Sequence, residues 1–166
     1  MLTLLAQVLK ILNDDNNPYQ IALAIWFGLL VAFLDMMNPL MWFVLLIVCL
    51  VRVNLSAFLL AWGGFELLAM AMVPVLDDLG YSLLTHPSLV DFWKSLHQIA
   101  GVPMMQLGYT VITGGIVFAI VALLPFIFLI PWLIKRYRTQ LMPWVEKTRL
   151  VAVLKSSKIY QIYQNL

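Results

Sequence analysis

The stretch from Leu107 to Ile134 carries no charged side chain. As one helix it would run ~42 Å, longer than the ~30 Å hydrocarbon core of a bilayer. A second stretch, Leu55 to Leu76, would run ~33 Å and holds a single charge, Glu66. Two such runs restrict the chain to helices that satisfy their own backbone and turn apolar faces outward to lipid. Composition agrees, with 63% apolar and 11% charged residues, against roughly 45–50% and about 25% in a soluble domain. A compact protein of 166 residues has no single core able to hide that much apolar surface. The sequence therefore predicts an all-α integral membrane protein.

The charges are few but unevenly placed. Lys135, Arg136, Arg138, Lys147, Arg149, Lys155 and Lys158 all follow the last apolar run, whereas the segment from Asp77 to Gln106 sets one lysine, Lys94, against Asp77, Asp78 and Asp91. Basic residues accumulate on the cytoplasmic side of a membrane, so both termini are expected in the cytoplasm and 77–106 outside. A basic tail also raises nucleic acid as a partner. Its interleaved Trp144, Val145, Val151, Leu154, Ile159 and Tyr163 fit anionic lipid headgroups better. No basic n-region or small-residue cleavage site marks a signal peptide. The lone Cys49, inside Leu45–Leu50, has no partner for a disulfide or a metal site and reads as a small hydrophobe.

Residues 1–17 place Leu2, Leu5, Leu9 and Leu12 opposite Thr3, Gln7 and Lys10, the pattern of an interfacial amphipathic helix. Asn17-Pro18 then starts a new helix with an Asn cap and Pro at the first position. A membrane domain is expected over 18–134. Its first part, 18–51, holds two apolar pieces, Ile21–Leu34 and Leu40–Val51, of ~21 Å and ~18 Å. They are separated by Asp35, Asn38 and Pro39, and read as a short re-entrant hairpin that enters and leaves on one face. The alternative is two short tilted spans in a thinned bilayer. A span over 55–76 follows, then an outer segment 77–106, where Pro87 opens an amphipathic helix closed by Gly101 and Pro103. A second span covers 107–134, with kink points at Pro125 and Pro131, and 135–166 forms a basic amphipathic cytoplasmic tail. Gly63-Gly64 and Gly114-Gly115 are expected to admit close helix packing.

Asp35 and Glu66 are the residues most expensive to place at bilayer depth, where carboxylates mark pathways for ions, protons or headgroups. With Asn38 and Pro39 they are expected to line a polar pathway at the hairpin tip. The other possibility for Asp35, Asn38 and Glu66 is a hydrogen-bond cluster that braces the hairpin. No catalytic motif, metal-ligand cluster or phosphate loop is present. His86 and His97 read as solvated surface residues, and no enzyme activity or cofactor is expected.

Several elements together resemble a known family. They are Gly28-Leu29-Leu30-Val31-Ala32-Phe33-Leu34, Pro39, the run Leu50-Val51-Arg52-Val53-Asn54-Leu55-Ser56-Ala57, and Trp62. The stretch Ile21 to Leu76 resembles the small bacterial inner-membrane proteins grouped as domain of unknown function two-thousand-and-sixty-two. Gly28, Arg52, Asn54 and Trp62 carry that likeness. Two departures stand out. Leu40-Met41-Trp42 replaces the family's usual Gly and Gln after the tip proline, and Gly63-Gly64-Phe65-Glu66 replaces an Asn-Pro pair after the tryptophan.

The full layout is similar to a branch associated with a large, envelope-spanning, bridge-like (AsmA-type) protein. That resemblance implies a non-enzymatic inner-membrane subunit that helps a larger periplasmic partner move phospholipid between envelope membranes. The alternative is a self-contained small transporter or channel for ions or small solutes, built as a homo-oligomer because so few spans hardly enclose a pathway.

Overall fold

The computed structural model describes residues 17–137 and Thr139. The helix expected over 1–17, apart from Asn17, and the tail residues Arg138, Lys147, Arg149, Lys155 and Lys158 lie outside the described residues. Within these bounds the chain is helical: α1 (Pro18–Ala32), α2 (Pro39–Leu50), α3 (Leu55–Thr85), α4 (Val90–His97) and α5 (Thr110–Arg136), with short 3-10 turns at Pro87–Leu89 and Val102–Met105.

Three asparagines start three of the helices by the same chemistry. A side-chain oxygen at the N-cap satisfies a backbone N–H that has no partner within the first turn. Asn17 Oδ1 accepts from the Tyr19 N–H at 3.1 Å, Asn38 Oδ1 from Leu40 at 2.9 Å and Asn54 Oδ1 from Ala57 at 2.8 Å. Pro18 and Pro39 occupy the first turns of α1 and α2, where a missing N–H costs nothing.

The α1 helix is the central packing element, and it packs mainly on α3. Gly28 makes this approach possible: a Cβ there would lie 2.8 Å from both the Ala61 Cβ and the Trp62 backbone nitrogen. Against α5, the Trp26 indole donates to the Ala119 carbonyl at 2.6 Å, and Phe33 meets Phe118 edge-on at 5.7 Å. Leu29, Phe33, Leu76, Ala119 and Ala122 form the core where the three helices meet.

Two boundaries differ from the sequence reading. The helix expected to end at Leu76 continues through Pro74, Asp77 and Asp78 to Thr85, so the outer segment begins as the last turns of α3. Tertiary contacts hold it there: Asp77 accepts from the Thr110 hydroxyl, and Gly80 lies directly against the Thr110 backbone. These offset the modest helix penalty of Asp. The outer amphipathic helix is correspondingly shorter, eight residues long. Its Trp93 indole donates to the Leu83 carbonyl at 3.0 Å, tying it to the end of α3.

Both α3 and α5 are long and apolar enough to cross a membrane, at 31 and 27 residues. Only 11% and 17% of their most apolar windows are buried within the chain, unlike a helix in the core of a soluble protein. Leu67, Met70, Val121 and Phe128 are all exposed. The chain divides into one unit up to Pro131 and a second from Trp132. In the second, the Arg136 guanidinium stands 5.2 Å from the centre of the Trp132 ring.

Candidate functional site

An open groove of ~380 Å³ runs along α3 from Glu66 to Leu76 and is closed on its other sides by the end of α1 and the start of α5. That size lies within the ~300–1,000 Å³ of small-molecule pockets. Ten residues of helix between Glu66 and Leu76 make the groove ~15 Å long. Phe33, Leu34, Met70, Val73 and Ile112 supply apolar walls, and Asp35, Glu66, Tyr109 and Thr110 supply the polar groups. The two carboxylates singled out in the sequence thus line one cavity.

Each acid is held by a local contact. Asp35 is exposed in the α1–α2 turn, and its Oδ1 accepts a long bond, 3.4 Å, from the Met37 N–H. Glu66 is exposed on α3, and its Oε2 accepts from the Trp62 indole one turn earlier at 3.2 Å. No described Lys or Arg forms a salt bridge with either acid; Lys94 and Asp91 make an exposed contact at 3.8 Å on α4. Among the described residues no group of three His, Cys, Asp or Glu converges as a metal site would need.

Asn38 departs from the expected pathway role. It is fully buried and does not line the groove. Its backbone N–H donates to the Asp35 carbonyl at 2.9 Å, its Oδ1 caps α2, and its Nδ2 donates to the Met105 carbonyl at 2.9 Å. With every polar group used, Asn38 fastens the turn that presents Asp35 to the loop before α5. Pro39 is exposed beside it and serves as the first residue of α2.

The other motif residues sort by what they touch. Gly28 and Trp62 form the α1–α3 contact, with the Trp62 ring 5.9 Å from Phe58. Asn54 is a cap, and Arg52 is exposed in the preceding loop. Gly114 lies against the Leu76 carbonyl, and Gly115 against Phe33, whose Cβ would be 2.7 Å from an added Cβ. Gly63 and Gly64 have nothing within 4 Å, so no described helix of this chain makes the close approach expected there. Lys135 and Arg136 sit in the last turn of α5. His97, expected to be solvated, is half-buried: its Nδ1 lies 2.9 Å from the Trp93 carbonyl, and its ring covers Gly108. Cys49 is exposed.

Sequence reasoning missed Tyr109, Thr110, Gly80 and Met105. Tyr is enriched at membrane–water interfaces, and Tyr109 directly before an apolar run is the available signal for the first of these.

A sequence profile of the bacterial family described as "Uncharacterized protein conserved in bacteria (DUF2062)" matches residues 3–142. The chain belongs to this family. The match extends well past Ile21–Leu76, taking in the groove and most of the described structure. An "Uncharacterized protein" of Treponema pallidum (strain Nichols) is 27% identical over 160 residues, covering 96% of this chain and 98% of that protein. No solved structure matches. In this DUF2062 chain, Gly28 and Trp62 meet at a helix crossing and Asn54 caps a helix, so three of the four residues that carry the likeness act in packing and helix initiation.

Proposed function

We propose that the protein is a non-enzymatic subunit of the bacterial inner membrane that assists a larger periplasmic partner in moving phospholipid between the envelope membranes. The observation that carries this reading is the groove. It is apolar along α3 from Ala69 to Leu76, open at its side, edged by Glu66 toward one end, and bordered by Asp35, Tyr109 and Thr110 where α1 ends and α5 begins. An amphiphile needs that division: walls for an acyl chain and, at one end, acceptors for a cationic or hydroxyl headgroup. The exposed apolar faces of α3 and α5 support a groove set in lipid, where an acyl chain enters laterally without crossing water.

The Lys/Arg asymmetry supports an orientation with both termini in the cytoplasm. The turn that carries Asp35 is bonded to Met105, which belongs to the 77–106 segment placed outside by this asymmetry. In this orientation the polar end of the groove faces the periplasm, where a bridge-like partner would collect its cargo. Lys147, Arg149, Lys155 and Lys158 would hold the tail against anionic headgroups.

Depletion of the protein in its native host, followed by pulse-labelling of newly made phospholipid, tests the reading. Delivery to the outer membrane should slow, and the detergent-extracted protein should carry a large partner in fixed stoichiometry. Unchanged delivery, with the protein isolated as a homo-oligomer alone, would instead support a self-contained transporter.

A further inference from the structure

Glu66 lies eleven residues beyond Leu55 on α3, ~16 Å along the helix, close to the middle of a ~30 Å hydrocarbon core. Its side chain is exposed and its one hydrogen bond comes from Trp62. Around it on the same face stand Leu59, Gly63, Leu67 and Met70, all exposed, and apart from the adjoining residues and helix backbone no described atom of this chain comes within 4 Å of a Cβ placed on Gly63 or Gly64. A carboxylate facing lipid at that depth costs several kcal/mol unless something pairs with it.

Among the described residues, no cation forms a salt bridge with Glu66. Arg52 precedes α3, and the next cation along the chain is Lys94 on α4, beyond the far end of the same helix. A second copy offers no cation at that depth: positions 11–51, 53–93 and 95–134 contain no Lys or Arg, and Lys10, Arg52 and the tail cations flank the apolar runs, so symmetric packing of two α3 helices brings two carboxylates together. Phospholipid headgroups lie ~15 Å away at the interface.

We infer that the Leu59–Gly63–Glu66–Met70 face of α3 is the docking surface for a membrane helix of a different protein, one that carries a Lys or Arg at mid-depth to pair with Glu66. The bare Gly63-Gly64 step lets the incoming backbone approach, as small residues do at membrane helix contacts. Glu66 and Met70 also edge the groove, so the docked helix borders it. The inference rests on the phospholipid reading and names the contact by which the partner is held.

The test uses the full-length protein in native membranes with a photoreactive benzophenone residue replacing Leu67 or Met70, and Phe128 on α5 as the control position. The expected product is an adduct from α3 alone, whose cross-linked peptide is an apolar segment containing Lys or Arg. Glu66→Gln and Glu66→Leu should each lower adduct yield ~10-fold or more at matched protein level, and Glu66→Asp should retain most of it. Replacing the partner's basic residue by Leu should remove the difference between the wild-type and Glu66→Leu backgrounds. Adducts with a second copy of this chain, with lipid only, with a segment lacking Lys and Arg, or undiminished in Glu66→Leu overturn the inference, as does the absence of any protein adduct. The two readings fail separately: a basic-helix adduct with normal phospholipid delivery keeps the docking surface and removes the transport role.

Discussion

Gly80 on α3 and Gly114 on α5 face each other across the crossing of the two longest helices. A Cβ on Gly114 would lie 3.0 Å from the Gly80 nitrogen and run into the Leu76 carbonyl, and one on Gly80 would run into the Thr110 backbone. Backbone rather than side chain is in the way, so neither position has a flexible neighbour that can move aside.

Larger residues at this crossing should therefore unfold or separate the helices. Gly80→Val and Gly114→Val are each expected to lose ~1–3 kcal/mol or more through overpacking. Gly63→Ala and Gly64→Ala meet open space within the chain and should keep or gain ~0.5–1 kcal/mol from helix propensity. Thermal unfolding of the four variants in one detergent checks the contrast, and equal melting across them would contradict the crossing.

The glycines also show what the sequence held and what it hid. A Gly-Gly pair in mid-helix is conspicuous, and the small-residue rule says where an approach is permitted, not whether a helix arrives. Gly63-Gly64 reads as a packing site and has no described helix against it, while Gly80 lies within the 77–106 segment expected outside and yet belongs to α3 and packs against the Thr110 backbone. Helix starts were easier to read because an Asn-Pro cap is decided within one turn, as at Asn17. Asn38 shares that pattern, but its second role depends on Met105, 67 residues away, which no local spacing reveals. The two long apolar helices were legible because apolar runs of that length have few uses outside a membrane; Asp35 and Glu66 stand out because isolated charges in apolar runs are costly, and both line the groove without touching each other.

Asn38 should be a stability residue. Asn38→Ala removes the α2 cap, worth ~1 kcal/mol, and leaves the Met105 carbonyl without its donor, a further ~1–3 kcal/mol. Asn38→Asp keeps the cap but buries a carboxylate oxygen against the Met105 carbonyl, so it should be at least as unstable as Ala. That order is expected in chemical or thermal denaturation, with activity tracking the folded fraction. A loss of function in Asn38→Asp without loss of stability would return Asn38 to the pathway.

Topology follows from charge. In a variant whose Cys49 is replaced by Ala, a cysteine at Ser95 should react with an impermeant thiol reagent in intact cells, and one at Ser157 only after the membrane is opened. The reverse labelling pattern would invert the orientation and turn the polar end of the groove toward the cytoplasm.

Asp35 and Glu66 permit the sharpest separation of structure from function. Both are exposed, and each is held by one hydrogen bond, from Met37 N–H or from the Trp62 indole. Amides keep an acceptor oxygen for those bonds while deleting the charge, so Asp35→Asn should leave folding within about 0.5 kcal/mol of wild type, and Glu66→Gln, relieved of a charge at bilayer depth, should be at least as stable as wild type. A pathway that uses the charge loses it in both. The prediction is failed complementation by either amide at matched membrane levels, with normal melting of the purified proteins. Trp62→Phe separates the two acids further: it keeps an aromatic ring against Phe58 and removes the donor to Glu66, so it should alter the Glu66-dependent step and leave the Asp35-dependent one intact. Full activity with both amides in place would show that the groove needs only its shape, and the carboxylates would then have no part in what it carries.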